Sequence, residues 1–172
     1  LLAMAVLTMM TVALGALTQA VRVTSDMTQG TSTATQHARV TLHRIETAVT
    51  NAFANEAFPG AFVIADTIGT YEYPDALVVW RPESDPEEPN GLPRFNEIVV
   101  FCTNPSAPNE LLEITAPADT RTVPEITDNA AWNTELANLK TGPGSQRVLL
   151  TDLVRTAAPS ASTSSLRGAA RF

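Results

Sequence analysis

The first 58 residues contain no proline, and this absence divides the chain into two parts. All 12 prolines lie from Pro59 onward. Proline removes a backbone donor and its ring clashes with the preceding helical turn, so a segment without it can form one uninterrupted helix. A segment with 12 prolines must instead consist of loops and short strands. We therefore place a structural boundary near Ala57–Gly60.

Charged residues are unevenly distributed along the chain, and cysteine is scarce. The net charge is -7, so binding of nucleic acid through a general basic field is not expected. Residues 1–58 carry three acids and three bases, whereas residues 59–172 carry 15 acids and 8 bases, so the acidic excess lies in the second part. Cys102 is the only cysteine, which excludes an intrachain disulfide, and its apolar surroundings predict a buried strand residue.

No charged residue occurs between Leu1 and Val21. As a helix, these residues would span about 32 Å, enough to cross a hydrocarbon layer. The run lacks the basic start and small-residue cleavage site of a signal peptide. A helix that is apolar on all sides must be buried in lipid or against other copies. We predict an apolar membrane or filament-core segment over 1–21, with an assembly core of Leu1, Leu2, Val6, Leu7, Met10, Leu14 and Leu17.

The remainder of the proline-free part divides again. Residues 22–35 are rich in serine, threonine and glycine, which are weak helix formers, so we predict a polar, flexible segment there. Over residues 36–58 apolar side chains recur at helical spacing, which is typical of an amphipathic helix. Its stripe predicts a seam against the rest of the chain, formed by Ala38, Leu42, Ile45, Val49 and Phe53.

Residues 59–172, which we call the head, have the pattern of an antiparallel sheet. Strand and helix segments do not alternate, which disfavours a parallel sheet and favours an α+β fold with a long N-terminal helix packed on the head. Asp128 or Asn129 would cap the single short helix, over Ala130–Lys140. Apolar runs between turn residues predict strands at Ala61–Ala65, Ala76–Trp80, Glu97–Cys102, Leu111–Thr115 and Val148–Thr151.

Few residues in the chain suggest chemistry. His37 and His43 lie six positions apart, on different faces of a helix, so they cannot share a metal there. Asp85, Glu87 and Glu88 are candidates for calcium, but their spacing is not that of a calcium loop, and a solvated acidic turn is the favoured interpretation. No catalytic triad or phosphate loop is recognised. The sequence therefore predicts neither an enzyme nor a cofactor.

Two stretches of the predicted helix carry a family resemblance. Leu1–Leu7 (LLAMAVL) resembles the apolar run of type IV prepilins and type II secretion pseudopilins, and Ala38–Glu46 (ARVTLHRIE) is similar to the helix continuation of some minor pseudopilins. The family's cleavage-site glycine and acidic residue would lie upstream of Leu1, so we expect a short basic leader and a few residues before it. The family's usual disulfide cannot form with one cysteine.

The resemblance implies a function and a set of partners. It implies a structural subunit that begins in the inner membrane, is processed by prepilin peptidase, and is polymerised by a pilus assembly machinery into an extracellular filament. Its main partner would be itself. Two alternatives remain: a minor pseudopilin of a periplasmic secretion pseudopilus, and a single-pass, membrane-anchored periplasmic binding domain that does not polymerise.

Overall fold

A computed structural model describes most of the backbone. The described residues are 2–68, 71–84, 86–157 and 167–168, and side chains are described for 14–65, 74–84 and 86–156. The chain separates into two compact units, Leu1–Arg39 and Val40–Phe172.

The first helix, α1 (Leu2–Thr50), includes the segment 22–35 that was predicted to be flexible. Threonines within that segment donate their hydroxyls to carbonyls one turn earlier, which accommodates them in a helix. The helix ends at Thr50 rather than Phe58. After this end, Phe53 N–H donates to Trp80 O at 2.9 Å, so the chain leaves the helix and meets the last residue of the second strand.

The head contains a five-stranded antiparallel sheet whose strands follow one another in sequence order. This confirms an α+β fold with a long N-terminal helix and an antiparallel sheet. A short 3-10 turn (Phe95–Glu97) precedes the third strand, and a separate two-stranded sheet pairs β6 (Thr156–Ala157) with β7 (Arg167–Gly168). The main strands are β1 (Ala61–Ile68), β2 (Tyr71–Trp80), β3 (Ile98–Thr103), β4 (Leu111–Thr115) and β5 (Gln146–Thr151).

The five predicted strands are confirmed, and three of them are longer than predicted, with β5 beginning at Gln146 instead of Val148. β1 continues past Ala65 to Ile68. β2 begins at Tyr71, before Ala76, although Pro74 lies in this extension. A register shift between Ile64 and Ala65 places Ala65 opposite Pro74. Such a bulge tolerates a residue that lacks a backbone donor.

Helix α2 (Asn129–Thr141) confirms the predicted short helix, and Asp128 is its N-cap. The Asp128 carboxylate accepts a hydrogen bond from Ala131 N–H at 3.0 Å, as N-cap residues do. The buried side of α2 is formed by Trp132, Leu136 and Leu139.

Both faces of the central strands are buried. Alternate residues of a strand point to opposite faces, so Val78 and Val100 face the α2 side, while Val79 and Phe101 face the other side. Ala48 of α1 packs on that second side. Burial on both faces explains why β2 and β3 read as nearly continuous apolar runs.

Candidate assembly surface

The α1 residues of the first unit expose large apolar side chains. Leu14 and Leu17 are 63% exposed, Val21 is 61% exposed and Met27 is 70% exposed. Among the residues that the structure describes, no helix is long and apolar enough to cross a membrane. The side chains of the other predicted assembly residues, Leu1, Leu2, Val6, Leu7 and Met10, lie outside the described residues.

Within the second unit, α1 meets the sheet along a line that differs from the predicted seam. Ile45 and Phe53 are partly buried against the head, as the stripe predicted. The predicted seam residues Leu42 and Val49 are exposed instead, and Ala38 is an exposed residue of the first unit. The contact line runs through Thr41, Ile45 and Ala48 of α1, at a spacing of four and three residues, and continues to Ala52 just after the end of the helix.

Small side chains explain where this contact line lies. Ala48 is 1% exposed and packs with Leu77, Val79, Val99 and Phe101. A methyl group allows the helix backbone to approach the sheet closely, whereas Leu42 or Val49 in that position would hold it further away. The helical spacing of apolar residues in the sequence had instead favoured the larger side chains, Leu42 and Val49, as the residues that contact the head.

A charged pair fixes the helix to the sheet beside Ala48. Nε and Nη2 of Arg44 donate to both carboxylate oxygens of Glu113, and the Nη2–Oε1 distance is 3.1 Å. The hydrogen bond that Arg44 donates to Glu113 raises the pKa of the Arg44 guanidinium, so this arginine stays charged. Glu113 is buried on β4, directly between Phe101 of β3 and Val148 of β5.

Hydrogen bonding adds a second attachment one turn earlier. Thr41 Oγ1 donates to Leu150 O of β5 at 3.2 Å. Neither Glu113 nor Thr41 was identified from the sequence. The signal for Glu113 was present, because it is the single acid within an apolar five-residue strand, Leu111–Thr115. Such a charge needs a partner when the strand is covered by a helix.

The predicted acidic loop is held by an arginine. Arg94 forms ion pairs with Glu87 and with Glu88. The buried Glu97 carboxylate accepts hydrogen bonds from the backbone N–H of Glu87 at 2.8 Å and of Arg94 at 2.9 Å. Asp85, the third calcium candidate, lies outside the described residues. Two of the three candidate carboxylates are therefore engaged by a cationic side chain.

No group of three or more histidine, cysteine, aspartate or glutamate side chains that could hold a metal ion occurs within the described residues. His43 lies 3.8 Å from Glu46 on the same helix. Cys102 is fully buried in β3, and this burial raises the pKa of its thiol to about 11. A thiol with such a pKa is almost entirely protonated at neutral pH and is a poor nucleophile.

Family models, curated proteins and solved structures give no significant match to the chain. Within the described residues of the first unit, the candidate assembly surface is the exposed face of α1 that carries Leu14, Leu17 and Val21.

Proposed function

We propose that the chain is a structural subunit of an extracellular type IV pilus-like filament and polymerises through α1. The exposure of Leu14, Leu17 and Val21, each above 60%, is the observation that carries this proposal. Water is an unfavourable environment for such side chains, so an unpartnered helix that bears three of them within eight residues favours association.

The size of this driving force supports self-association. Full burial of a large apolar side chain stabilises by about 1.5–3 kcal/mol, so the exposed parts of these three contribute about 3–5 kcal/mol per copy, before ordering costs. The predicted core residues Leu1, Leu2, Val6, Leu7 and Met10 would add to this sum. The acidic head opposes it only weakly, because like charges at its surface are screened by salt.

The remaining partners follow from the resemblance. In this proposal, the segment Leu1–Val21 holds the precursor in the inner membrane, prepilin peptidase processes it, and the assembly machinery transfers the subunit into the filament. The protein has no enzymatic role and needs no cofactor or nucleic acid. Its assembled form lies outside the cell, or in the periplasm if the polymer is a secretion pseudopilus.

Electron microscopy of material sheared from cells tests the proposal. Wild-type cells should yield filaments that contain this chain, and Leu14→Asp should abolish them, because the charge would be buried without a partner. The matched control is Leu153→Asp, which makes the same change at a half-exposed leucine of the head. Glu87→Ala with Glu88→Ala, which removes exposed loop charges, should also leave filaments intact.

The opposite pattern would overturn the proposal. If filaments persist in Leu14→Asp and disappear in Leu153→Asp, the heads build the polymer. If wild-type cells yield no filament while the chain stays in the inner membrane, the protein is a membrane-anchored module. A short polymer confined to the periplasm would identify a pseudopilus.

A further inference from the structure

Strand β5 lies at one edge of the five-stranded sheet, and its outer side is uncovered. Among the strands that the structure describes, it pairs with β4 alone, and residues 146–149 are exposed to solvent. The Leu150 carbonyl accepts a hydrogen bond from Thr41 Oγ1, so the open stretch is Gln146–Leu149. An edge strand presents backbone N–H and C=O groups that can pair with another extended chain.

This edge lacks most of the features that usually prevent such pairing. Prolines, charged side chains and bulges within an edge strand keep other strands away. β5 contains no proline and no acid, and its pairing with β4 stays in register from Gln146 to Leu149. The opposite edge strand, β1, contains Asp66, and its pairing with β2 shifts register after Ile64. β5 is therefore the more receptive of the two edges.

The one charged residue of β5, Arg147, is held beside the turn that follows α2. Its Nη2 donates to Gly142 O and, at 2.8 Å, to Ser145 Oγ. Because these hydrogen bonds hold the guanidinium near the end of α2, the backbone of β5 stays accessible. Both acceptors are uncharged, so these contacts leave the positive charge of Arg147 without a carboxylate to neutralise it.

The charge around β5 differs in sign from that of the rest of the head. Residues 59–141 carry 14 acids and 4 bases, whereas residues 142–172 carry one acid and 4 bases. Arg155, which follows β5 by four residues, is exposed. β5 therefore belongs to the basic part of an otherwise acidic head, and this part favours an acidic partner.

Exposed apolar side chains accompany this basic region. Val148 is 45% exposed, Leu149 is 53% exposed and Leu153 is 51% exposed. Successive residues of a strand point to opposite faces, so Val148 and Leu149 expose apolar area on both sides of the same edge. A chain that pairs with this edge can cover both side chains. We call residues Gln146–Arg155 the β5 surface.

We propose that the β5 surface binds an extended, acidic peptide segment of another protein, which adds to the sheet as a sixth strand. Backbone hydrogen bonds along Gln146–Leu149 hold the segment, as in other cases of strand addition. Its alternate side chains cover Val148 and Leu149. Its carboxylates lie near Arg147 and Arg155, whose charges select an acidic partner.

Two other partners fit the β5 surface less well. The same strand of a second copy would bring like charges together at Arg147 and Arg155. The acidic loop Pro82–Pro93 of a second copy contains several prolines, which lack the backbone donor that strand pairing needs. A membrane of anionic lipids would attract the same arginines but offers no strand to the open backbone. The inference does not depend on whether the chain polymerises.

Binding of a defined peptide by the full chain in mild detergent tests the proposal. The probe is a dye-labelled peptide in which glutamate and valine alternate (EVEVEVE), and fluorescence anisotropy reports its binding. The control for charge is the same peptide with lysine in place of each glutamate. The acidic peptide should bind and the lysine peptide should not. Hydrogen exchange of the backbone amides over Gln146–Leu149 should slow when the acidic peptide is bound, because strand addition protects them.

Two valines at opposite edges of the sheet provide matched variants. Val148 on β5 and Val63 on β1 are 45% and 43% exposed. Val148→Asp should weaken binding about tenfold or more, because its charge would lie beside an acidic strand. Val63→Asp adds the same charge at the other edge and should change binding less than about twofold. Val148→Thr should also stay within about twofold, since threonine suits a strand and the backbone makes the attachment. Tryptophan fluorescence checks that every variant is folded.

A second pair of variants tests the contribution of charge. Arg155→Glu should weaken binding several-fold, because it removes an attraction and adds a repulsion. Arg81 follows β2, which runs antiparallel to β5, so it lies at the other end of the sheet. Arg81→Glu makes the same charge change there and should leave binding unchanged.

Several outcomes would overturn the proposal. Equal losses in Val148→Asp and Val63→Asp would place the peptide elsewhere on the protein. Equal binding of the acidic and lysine peptides, or binding without slower exchange in β5, would show that charge or the open backbone is not recognised. Self-association that Val148→Asp abolishes would identify a second copy as the partner instead. Binding of phosphatidylglycerol vesicles without binding of the peptide would identify a membrane surface.

Discussion

The pair between Arg44 and Glu113 supports a quantitative prediction, because its two members differ in exposure. Glu113 is 7% exposed, whereas half of the Arg44 side chain is accessible to water. Removal of the arginine would leave a carboxylate buried between Phe101 and Val148. Removal of the carboxylate would leave a guanidinium that water still reaches. The two substitutions should therefore have unequal costs.

The magnitudes follow from this asymmetry. Removing one member of a fully buried pair costs about 3–5 kcal/mol, and the half-exposed arginine places this pair below that range. We expect Arg44→Met to lower the free energy of unfolding by about 2 kcal/mol. Glu113→Met should cost less than about 1 kcal/mol, since an apolar side chain joins an apolar row. The double substitution should resemble Glu113→Met, because no unpaired charge remains.

Urea unfolding of the full chain measures these differences. The two tryptophans, Trp80 and Trp132, are fully buried in the second unit, so their fluorescence reports its unfolding. Arg39→Met, at an exposed arginine of the same helix, is the control and should stay within about 0.5 kcal/mol of wild type. Equal costs for Arg44→Met and Glu113→Met, or a larger cost for Glu113→Met, would refute the reasoning.

Three further predictions concern the head. Folded protein should resist iodoacetamide at pH 8 and react after unfolding, because burial raises the pKa of Cys102; equal rates would contradict this. Gly60→Ala should cost about 1–3 kcal/mol in urea unfolding, since Gly60 has a φ of 83° and an added Cβ would lie 2.9 Å from Phe53 O. An unchanged unfolding midpoint would refute that strain. Arg121 lowers the pKa of Asp119, so their contribution to stability should be complete at neutral pH and lost as the pH falls below about 4; Asp119→Asn should weaken this acid dependence, and an unaltered profile would exclude it.

The strands of the head were predictable because each is a short apolar run between proline- or glycine-rich turns. β4 was predicted with its observed bounds, and α2 differed by one residue at each end. The extension of β2 was missed at Pro74, which normally ends a strand. The bulge that accommodates it leaves Asp75 of β2 without a cross-strand partner, and this shift in the pairing with β1 cannot be read from local propensity.

The docking line of α1 was harder to predict, because helical spacing identifies an apolar side but not the rotation of the helix about its axis. Leu42 and Val49 looked like the seam, whereas the sheet contacts Thr41 and Ala48. Close approach favours small residues, and their low hydrophobicity gives a weak signal in sequence. The buried Glu113 carried a stronger signal, but only the fold shows that Arg44 reaches it.

The segment 22–35 is helical throughout, although its composition is unfavourable for a helix in water. Serine, threonine and glycine are poor helix formers in water, which suggested a flexible segment. Four threonines there satisfy carbonyls of the preceding turn, so the local hydrogen bonds accompany the helix instead of competing with it. The sequence shows these threonines, but only the structure shows that their hydroxyl groups bond to the helix backbone.

The burial of β2 and β3 on both faces restricts how the head can diverge. A substitution in either strand must suit the α1 side or the α2 side, and a shift of the backbone disturbs both at once. Sequence drift should therefore be slow in these strands. Substitutions should be tolerated best at the exposed surface of the head, in the loop between Pro82 and Pro93 and along the exposed strand β5. Antibodies raised against one variant of the protein should lose recognition first at those two places.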